Sequence, residues 1–242
     1  MNAEQIANRL KQNEIQVSEE VPEQLCLYLN LLTEWNQHMD LTAVTEPDDM
    51  LDRHFVDSLT ILKTDLMNDV TTLIDVGTGA GFPGLVLAIA RPDLQVTLLD
   101  AQQKRLTFLD AVCDQINVTN TTLVHARAED GGQNRMLRER FDLAIARAVA
   151  PLNMLYEFLL PFVRVGGKAV CLKGPALWSE MEKGRDAAAI LGAEVLDPIE
   201  CPVAGQDWQH FLLPAQKIRP TPLPYPRRAG IPKQKPLAEH VR

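Results

Sequence analysis

Ten residues from Asp75 to Gly84 read Asp75-Val-Gly77-Thr-Gly79-Ala-Gly81-Phe82-Pro83-Gly84 and directly follow the strand-like run TTLIDV (71–76). Glycines at this spacing let the chain turn sharply and bring bare backbone against a ligand where a Cβ would collide. Asp100 closes the next strand-like run, QVTLLD (95–100), at a position where a carboxylate can accept both hydroxyls of a ribose. The turn and the acid together predict an adenosine-binding half-site at the carboxyl edge of a parallel sheet.

Two cofactors fit such a half-site. Gly79-Ala-Gly81-Phe82-Pro83-Gly84 satisfies G-x-G-x-x-G with an acid 21 residues past Gly79, which is the dinucleotide fingerprint and would make the chain a nicotinamide-dependent oxidoreductase. Asp75 two residues before the first glycine extends the motif to D-x-G-x-G-x-G, the pattern of methyltransferases that use S-adenosylmethionine. Pro83 also falls where a dinucleotide helix would offer amide donors to a pyrophosphate, and nothing downstream reads as a second nucleotide-binding half. The balance favours the methyltransferase. A third reading, a non-catalytic binding module on the same fold, stays open, and so does a glycine run that only turns the chain.

The elements that must position this turn are legible from periodicity. TTLVHA (121–126), DLAIAR (142–147) and GKAVCLK (167–173) are further strands, and helical stretches lie near 84–91, 102–116, 133–139, 151–162 and 176–191. Strands alternating with helices predict an α/β, doubly wound, mostly parallel sheet, the class I Rossmann-like methyltransferase architecture, and EVLDPIE and QHFLLPAQ supply two final strands. Ahead of it the first seventy residues read as helices. Leu25, Leu29, Leu32, Trp35 and Met39 make one apolar face, and a second helix is expected over 47–64 with Thr45 as its N-cap. On that second helix His54 and Asp57 lie one turn apart and are expected to satisfy each other as a buried pair rather than act as a catalytic dyad. Three parts follow: an N-terminal helical extension (1–66), a cofactor-binding domain (67–216) and a basic, proline-rich C-terminal arm (217–242).

Charge divides the same way. Residues 1–70 carry four basic and fourteen acidic side chains, whereas the arm carries seven basic residues and one acid, within a chain of net charge −8. Prolines 220, 222, 224, 226, 232 and 236 remove amide donors, so the arm is expected to run extended without packing and to track phosphate. The acidic body argues against tight binding to free RNA. The four cysteines are scattered without a C-x-x-C pair, which argues against a zinc site or disulfide framework; no metal is expected. The charged N-terminus has no secretory h-region and no run is long and apolar enough for a membrane span, so a cytoplasmic protein is expected.

At motif level the chain resembles the glucose-inhibited division protein B family of bacterial small-subunit ribosomal RNA N7-guanine methyltransferases. Asp75–Gly84 with its Phe-Pro, LLDAQQKR (98–105), ARAED (126–130) and FDLAIARAVAPL (141–152) carry the likeness. YLNLLTEWNQHMDLTAV (28–44), RHFVDSL (53–59), LKG (172–174) and RRAGIPKQKPL (227–237) extend it. The resemblance implies S-adenosyl-L-methionine as cofactor and 16S ribosomal RNA within a small-subunit ribosomal particle as substrate; a monomer is expected. It also implies that Gly77 and Phe82, with Gly79 in the same turn, line the cofactor site, that Ala128 and Glu129 meet the adenine, and that Arg147 faces the methionine portion or the target base. Asp75 and Asp100 complete the expected cofactor set, and Arg147 is the expected catalytic residue. Guanine N7 already carries an in-plane lone pair, so this chemistry needs positioning rather than a general base. A sequence without a Ser-His-Asp or metal constellation suits it.

Overall fold

The runs that read as buried strands are covered on both faces, as their continuous apolar character requires. In the computed structural model, which describes residues 1–147 and 150–239, they form one eight-stranded sheet. Five parallel strands come first: β1 (Thr72–Val76), β2 (Gln95–Asp100), β3 (Thr121–His125), β4 (Phe141–Arg147) and β5 (Val163–Lys173). Antiparallel strands β6 (Ala193–Val195), β7 (Ile199–Glu200) and β8 (Phe211–Lys217) close one edge. The order is β3-β2-β1-β4-β5-β8-β6, with β7 paired to β8, so the winding direction reverses between β1 and β4. Ligands of open α/β sheets bind in the crevice that such a reversal leaves at the carboxyl ends of the strands.

Alternate residues of β1 and β4 serve two separate cores. Leu73, Leu143 and Ile145 face one, and Ile74, Ala144 and Ala146 face the other. The first core joins α1 (Ala3–Gln12), α2 (Val21–Met39), α5 (Gly84–Ala90) and α6 (Gln103–Ile116). The N-terminal helices therefore share their apolar interior with one sheet face instead of forming a core of their own. The second core joins α8 (Leu152–Leu159), α9 (Leu177–Ile190) and Leu237.

Three expectations are corrected. The helix expected over 47–64 is a composite: α3 (Pro47–Met50), a π-helical turn over Leu51–Val56, α4 (Asp57–Leu59) and a 3₁₀ turn over Thr60–Lys63. Its N-cap is Glu46, with Pro47 in the first turn, and not Thr45. The wide π turn carries Asp52, Arg53 and His54, and such turns are frequent at functional sites because they re-aim side chains.

The helix expected near 133–139 lies earlier, as α7 (Ala128–Gln133). Gly131 and Gly132 are poor helix formers, but both sit where a side chain would collide. An added Cβ would stand 2.9 Å from Leu99 at the first and 2.8 Å from Pro226 at the second. Tertiary packing overrides propensity there.

The arm is packed, not free. Lys217 is the last residue of β8 and fully buried, Thr221 and Pro226 are buried, and a short α10 (Ile231–Gln234) follows. Prolines lack donors, but the arm's carbonyls accept: Arg138 donates to Tyr225, Gln133 to Pro226 and Asn153 to Leu237. Ala148 and Val149 of the FDLAIARAVAPL run, and the last three residues of the arm, lie outside the described residues.

Candidate active site

The glycine turn leaves β1 at the reversal point, and two buried carboxylates hold it. Asp75 Oδ2 accepts from the Thr78 hydroxyl (2.7 Å) and from the Gly84 amide (2.8 Å) at the start of α5. Asp100 Oδ2 accepts from the Gly79 amide (2.9 Å), and its Oδ1 from Gln102 (2.8 Å). From the other side the Tyr28 hydroxyl donates to the Ala80 carbonyl. The turn's glycines fall into two kinds. At Gly77 (φ +74°) an added Cβ would have nothing within 4 Å, whereas at Gly84 it would stand 2.6 Å from the Asp75 Cβ. One end of the turn thus offers bare backbone to open space, and the other is locked into the fold.

This arrangement fits S-adenosylmethionine. The Gly77 side is open for a ligand to lie on the backbone. Asp75 Oδ1 is buried without a hydrogen-bond partner among the described residues, and burial pushes the carboxyl up to about 6. A cationic ligand with donors relieves both conditions. Asp100 has its expected place at the end of β2, although its oxygens are already engaged by backbone. Ala128 and Glu129 open α7 just past β3, where the Ala126 amide donates to the Asp100 carbonyl (3.1 Å), so they reach the same sheet edge.

Arg147, at the end of β4, meets the turn through Phe82. Its guanidinium lies 5.1 Å from that ring's centroid, and Phe82 is sandwiched between Tyr28 (5.6 Å) and His54 (4.8 Å). Arg147 donates to the Arg53 carbonyl (2.6 Å) and to His54 Nδ1 (3.2 Å), and pairs with Asp57 (3.5 Å). His54 Nε2 stands 2.7 Å from the Thr42 hydroxyl. With Nδ1 accepting from Arg147, Nε2 carries the proton and donates to Thr42. Burial, then Arg147, lower the imidazole to about 4, so it is neutral at physiological pH. His54 and Asp57 do not satisfy each other as expected. Arg147 stands between them, and Asp57 binds His210 Nδ1 instead (2.7 Å).

These groups wall a cavity of about 320 Å³ beside the turn, with Arg53, Arg147, Lys173 and His210 around the single carboxylate of Asp57. Lys173 is held by Glu180 (2.8 Å) and the Ala150 carbonyl (2.9 Å), and Arg53 lies over Trp208 (4.3 Å). No cluster of three or more potential metal ligands occurs among the described residues.

The model of one family, GidB, described as rRNA small subunit methyltransferase G, matches residues 22–207. The chain belongs to this family. A relative from Clostridium botulinum, "Ribosomal RNA small subunit methyltransferase G", is 43% identical over 223 residues, covering 92% of this chain and 93% of its own. A relative of the same name from Lactobacillus acidophilus is 41% identical over 239 residues, covering 98% of this chain and 100% of its own. Among solved structures, a 16S rRNA (adenine(1408)-N(1))-methyltransferase from Catenulisporales acidiphilia superposes with a TM-score of 0.51 at 19% identity. It covers 66% of this chain and 92% of that one. M. jannaschii TYW2, solved in complex with AdoMet, gives 0.51 at 14% identity over 67% of this chain and 77% of that one. These two likenesses establish the class I methyltransferase fold. With the family, they exclude the dinucleotide reading of the glycine run.

Within this GidB-family chain, four site residues had no role assigned from sequence. Tyr28, Arg53 and Lys173 lie inside runs that carry the resemblance, but runs do not say which side chain points where. Tyr28 had a usable signal: a polar-tipped aromatic on an apolar helix face must find a partner when buried. His210 had none, because 153 residues separate it from Asp57.

Proposed function

We propose that this chain transfers a methyl group from S-adenosylmethionine to N7 of a guanine in 16S ribosomal RNA, acting as a cytoplasmic monomer on a small-subunit particle. Membership of the methyltransferase G family carries the reading, and the site's chemistry supports it. When bound, the cofactor supplies an electrophilic methyl on a sulfonium. Gly77, Gly79 and Phe82 would hold it along the turn, Asp75 would answer its positive charge, Asp100 would accept from the ribose, and Ala128 and Glu129 would meet the adenine.

The cavity around Arg147 receives the base. Arg53 and Arg147 offer donors to the guanine O6 edge, while N7 stays free as nucleophile. His54 is neutral and acts as a spacer between Thr42 and Arg147 rather than as an acid. Methylation leaves a positive charge on the purine, and Asp57 in the cavity wall stabilises it. Nothing here removes a proton, as N7 chemistry allows.

The acidic body supplies little phosphate attraction, so folded RNA with its ribosomal proteins is the favoured substrate over free RNA. The test compares methyl transfer to small-subunit particles and to protein-free 16S RNA. Transfer to particles well above transfer to bare RNA is expected; equal rates on both would overturn the particle reading.

A further inference from the structure

The proline-rich strap after β8 does more than cover the sheet. Arg227 binds the fully buried Glu157 through its amide (2.9 Å), Nε (2.8 Å) and a terminal nitrogen (2.6 Å). Arg138 ties both sides, donating to the Gly132 carbonyl (2.9 Å) at the end of α7 and to the strap carbonyls of Thr221 (2.9 Å) and Tyr225 (2.7 Å). Gln133 donates to Pro226 (2.9 Å), whose ring occupies the space that a Cβ on Gly132 would need. The strap then reaches the other end of the same helix, where the Gly230 amide donates to Glu129 Oε1 (3.1 Å). Among the described residues this is the one hydrogen bond that the Glu129 carboxylate accepts.

We infer that residues 221–230 are a positioning strap for the adenine end of the cofactor site, with Arg227 as its clasp and the Gly230 amide as the contact that fixes Glu129. The inference rests on the reading of Ala128 and Glu129 as the adenine contacts. α7 is six residues long and contains two glycines, too little helix to hold a side chain by itself. Fixing one carboxylate oxygen from the strap orients the other towards a ligand amino group, and the rotamer entropy is lost on folding instead of on binding. An element that looks like an RNA-tracking tail thereby becomes part of the cofactor pocket.

Two full-length variants test this, with affinity for S-adenosylmethionine and S-adenosylhomocysteine measured by calorimetry and the melting temperature of the ligand-free protein measured alongside. Gly230→Ala strains the backbone (φ +85°) at the amide without a packing clash, since no atom lies within 4 Å of the added Cβ. Arg227→Gln opens the clasp and keeps its length. Each is expected to weaken both ligands about tenfold, the scale of one hydrogen bond to a charged group. In a Glu129→Ala background neither should weaken them further, whereas any loss of melting temperature should persist. If Glu129→Ala itself leaves affinity unchanged, the adenine reading fails and the inference with it. If Glu129→Ala weakens binding but Gly230→Ala and Arg227→Gln do not, the adenine reading stands and the strap is overturned. Equal effects of the strap variants in both backgrounds would also overturn it.

Discussion

The glycine turn and the cavity beside it are neighbours built on opposite plans. The turn is one continuous stretch of backbone, braced by the buried carboxylates of Asp75 and Asp100 through hydrogen bonds to Thr78 and the Gly79 amide. The cavity is made of side chains delivered by a π turn, α4, two strand ends and a loop, and they hold one another: Arg147 is bound by Asp57, Asp57 by His210 and Lys173 by Glu180. A site made of backbone fails locally and steeply when its geometry is changed. A site made of mutually supporting side chains fails as a unit, so its members' effects should not add.

The steepest failure is expected inside the turn. Gly77→Val places a β-branched residue at φ +74° on the ligand-facing side and should weaken S-adenosylmethionine by at least about 100-fold, or about 2.7 kcal/mol. Gly84→Ala, seven residues on, should instead destabilise the fold by about 1–3 kcal/mol, because its Cβ overlaps Asp75. Calorimetry and thermal melting on both proteins break the comparison if the two effects are exchanged.

In the cavity, Arg147→Ala should lower turnover about 100-fold, the scale of misplacing a reacting group by an ångström, with a smaller loss of stability because no core void opens. Asp57→Asn should lower turnover as well, and the double variant should be little worse than the worse single. Additive losses would mean that the two act separately. A large fall in melting temperature with normal specific activity would mark Arg147 as structural.

A smaller effect separates the two regions by pH. Asp75 titrates at about 6 in the ligand-free protein, raised from the ordinary carboxylate value by burial. A cationic ligand favours the ionised form, so cofactor affinity should rise as pH increases through about 6 and level off above it. Asp75→Asn should flatten that profile. For stability Asp75 and His54 differ in sign: the raised Asp75 contributes less as pH increases through about 6, and His54 contributes more. Its folded value of about 4 lies below its unfolded one, so the unfolded chain binds more protons between about 4 and 6.5. Its contribution to stability is complete above that window and declines as pH falls through it.

The smallest effect belongs to the exposed cations of the strap's end and of the segment after it. Arg228→Ala, Lys233→Ala and Lys235→Ala should leave cofactor affinity intact and make the salt dependence of particle binding shallower by roughly 0.7–0.9 per lost phosphate contact. Arg227 is not among them, since its charge is spent on Glu157.

The same division explains what could be read in advance. The turn, the acid at Asp100 and the positions of the five parallel strands followed from contiguous runs, because backbone conformation and burial leave local signatures. QVTLLD needed no correction at either end. The cavity left no such signature. Arg53 and His54 come from a helix whose π turn has no periodicity of its own, and His210 meets Asp57 only because β8 closes the sheet edge beside β5. The strap misled for a physical reason: its prolines do preclude a ladder, but the donors come from Arg138, Gln133 and Asn153 on the body, and composition within the segment carries no trace of them.

The central claim is that the turn and cavity together deliver a methyl group to a ribosomal guanine. It is tested most directly by incubating small-subunit particles with methyl-labelled S-adenosylmethionine and mapping the modified nucleoside by mass spectrometry. The account predicts label on N7 of one guanine of 16S RNA, and none with Gly77→Val. Label on another atom or base, or normal cofactor affinity with no transfer to any particle, would contradict it.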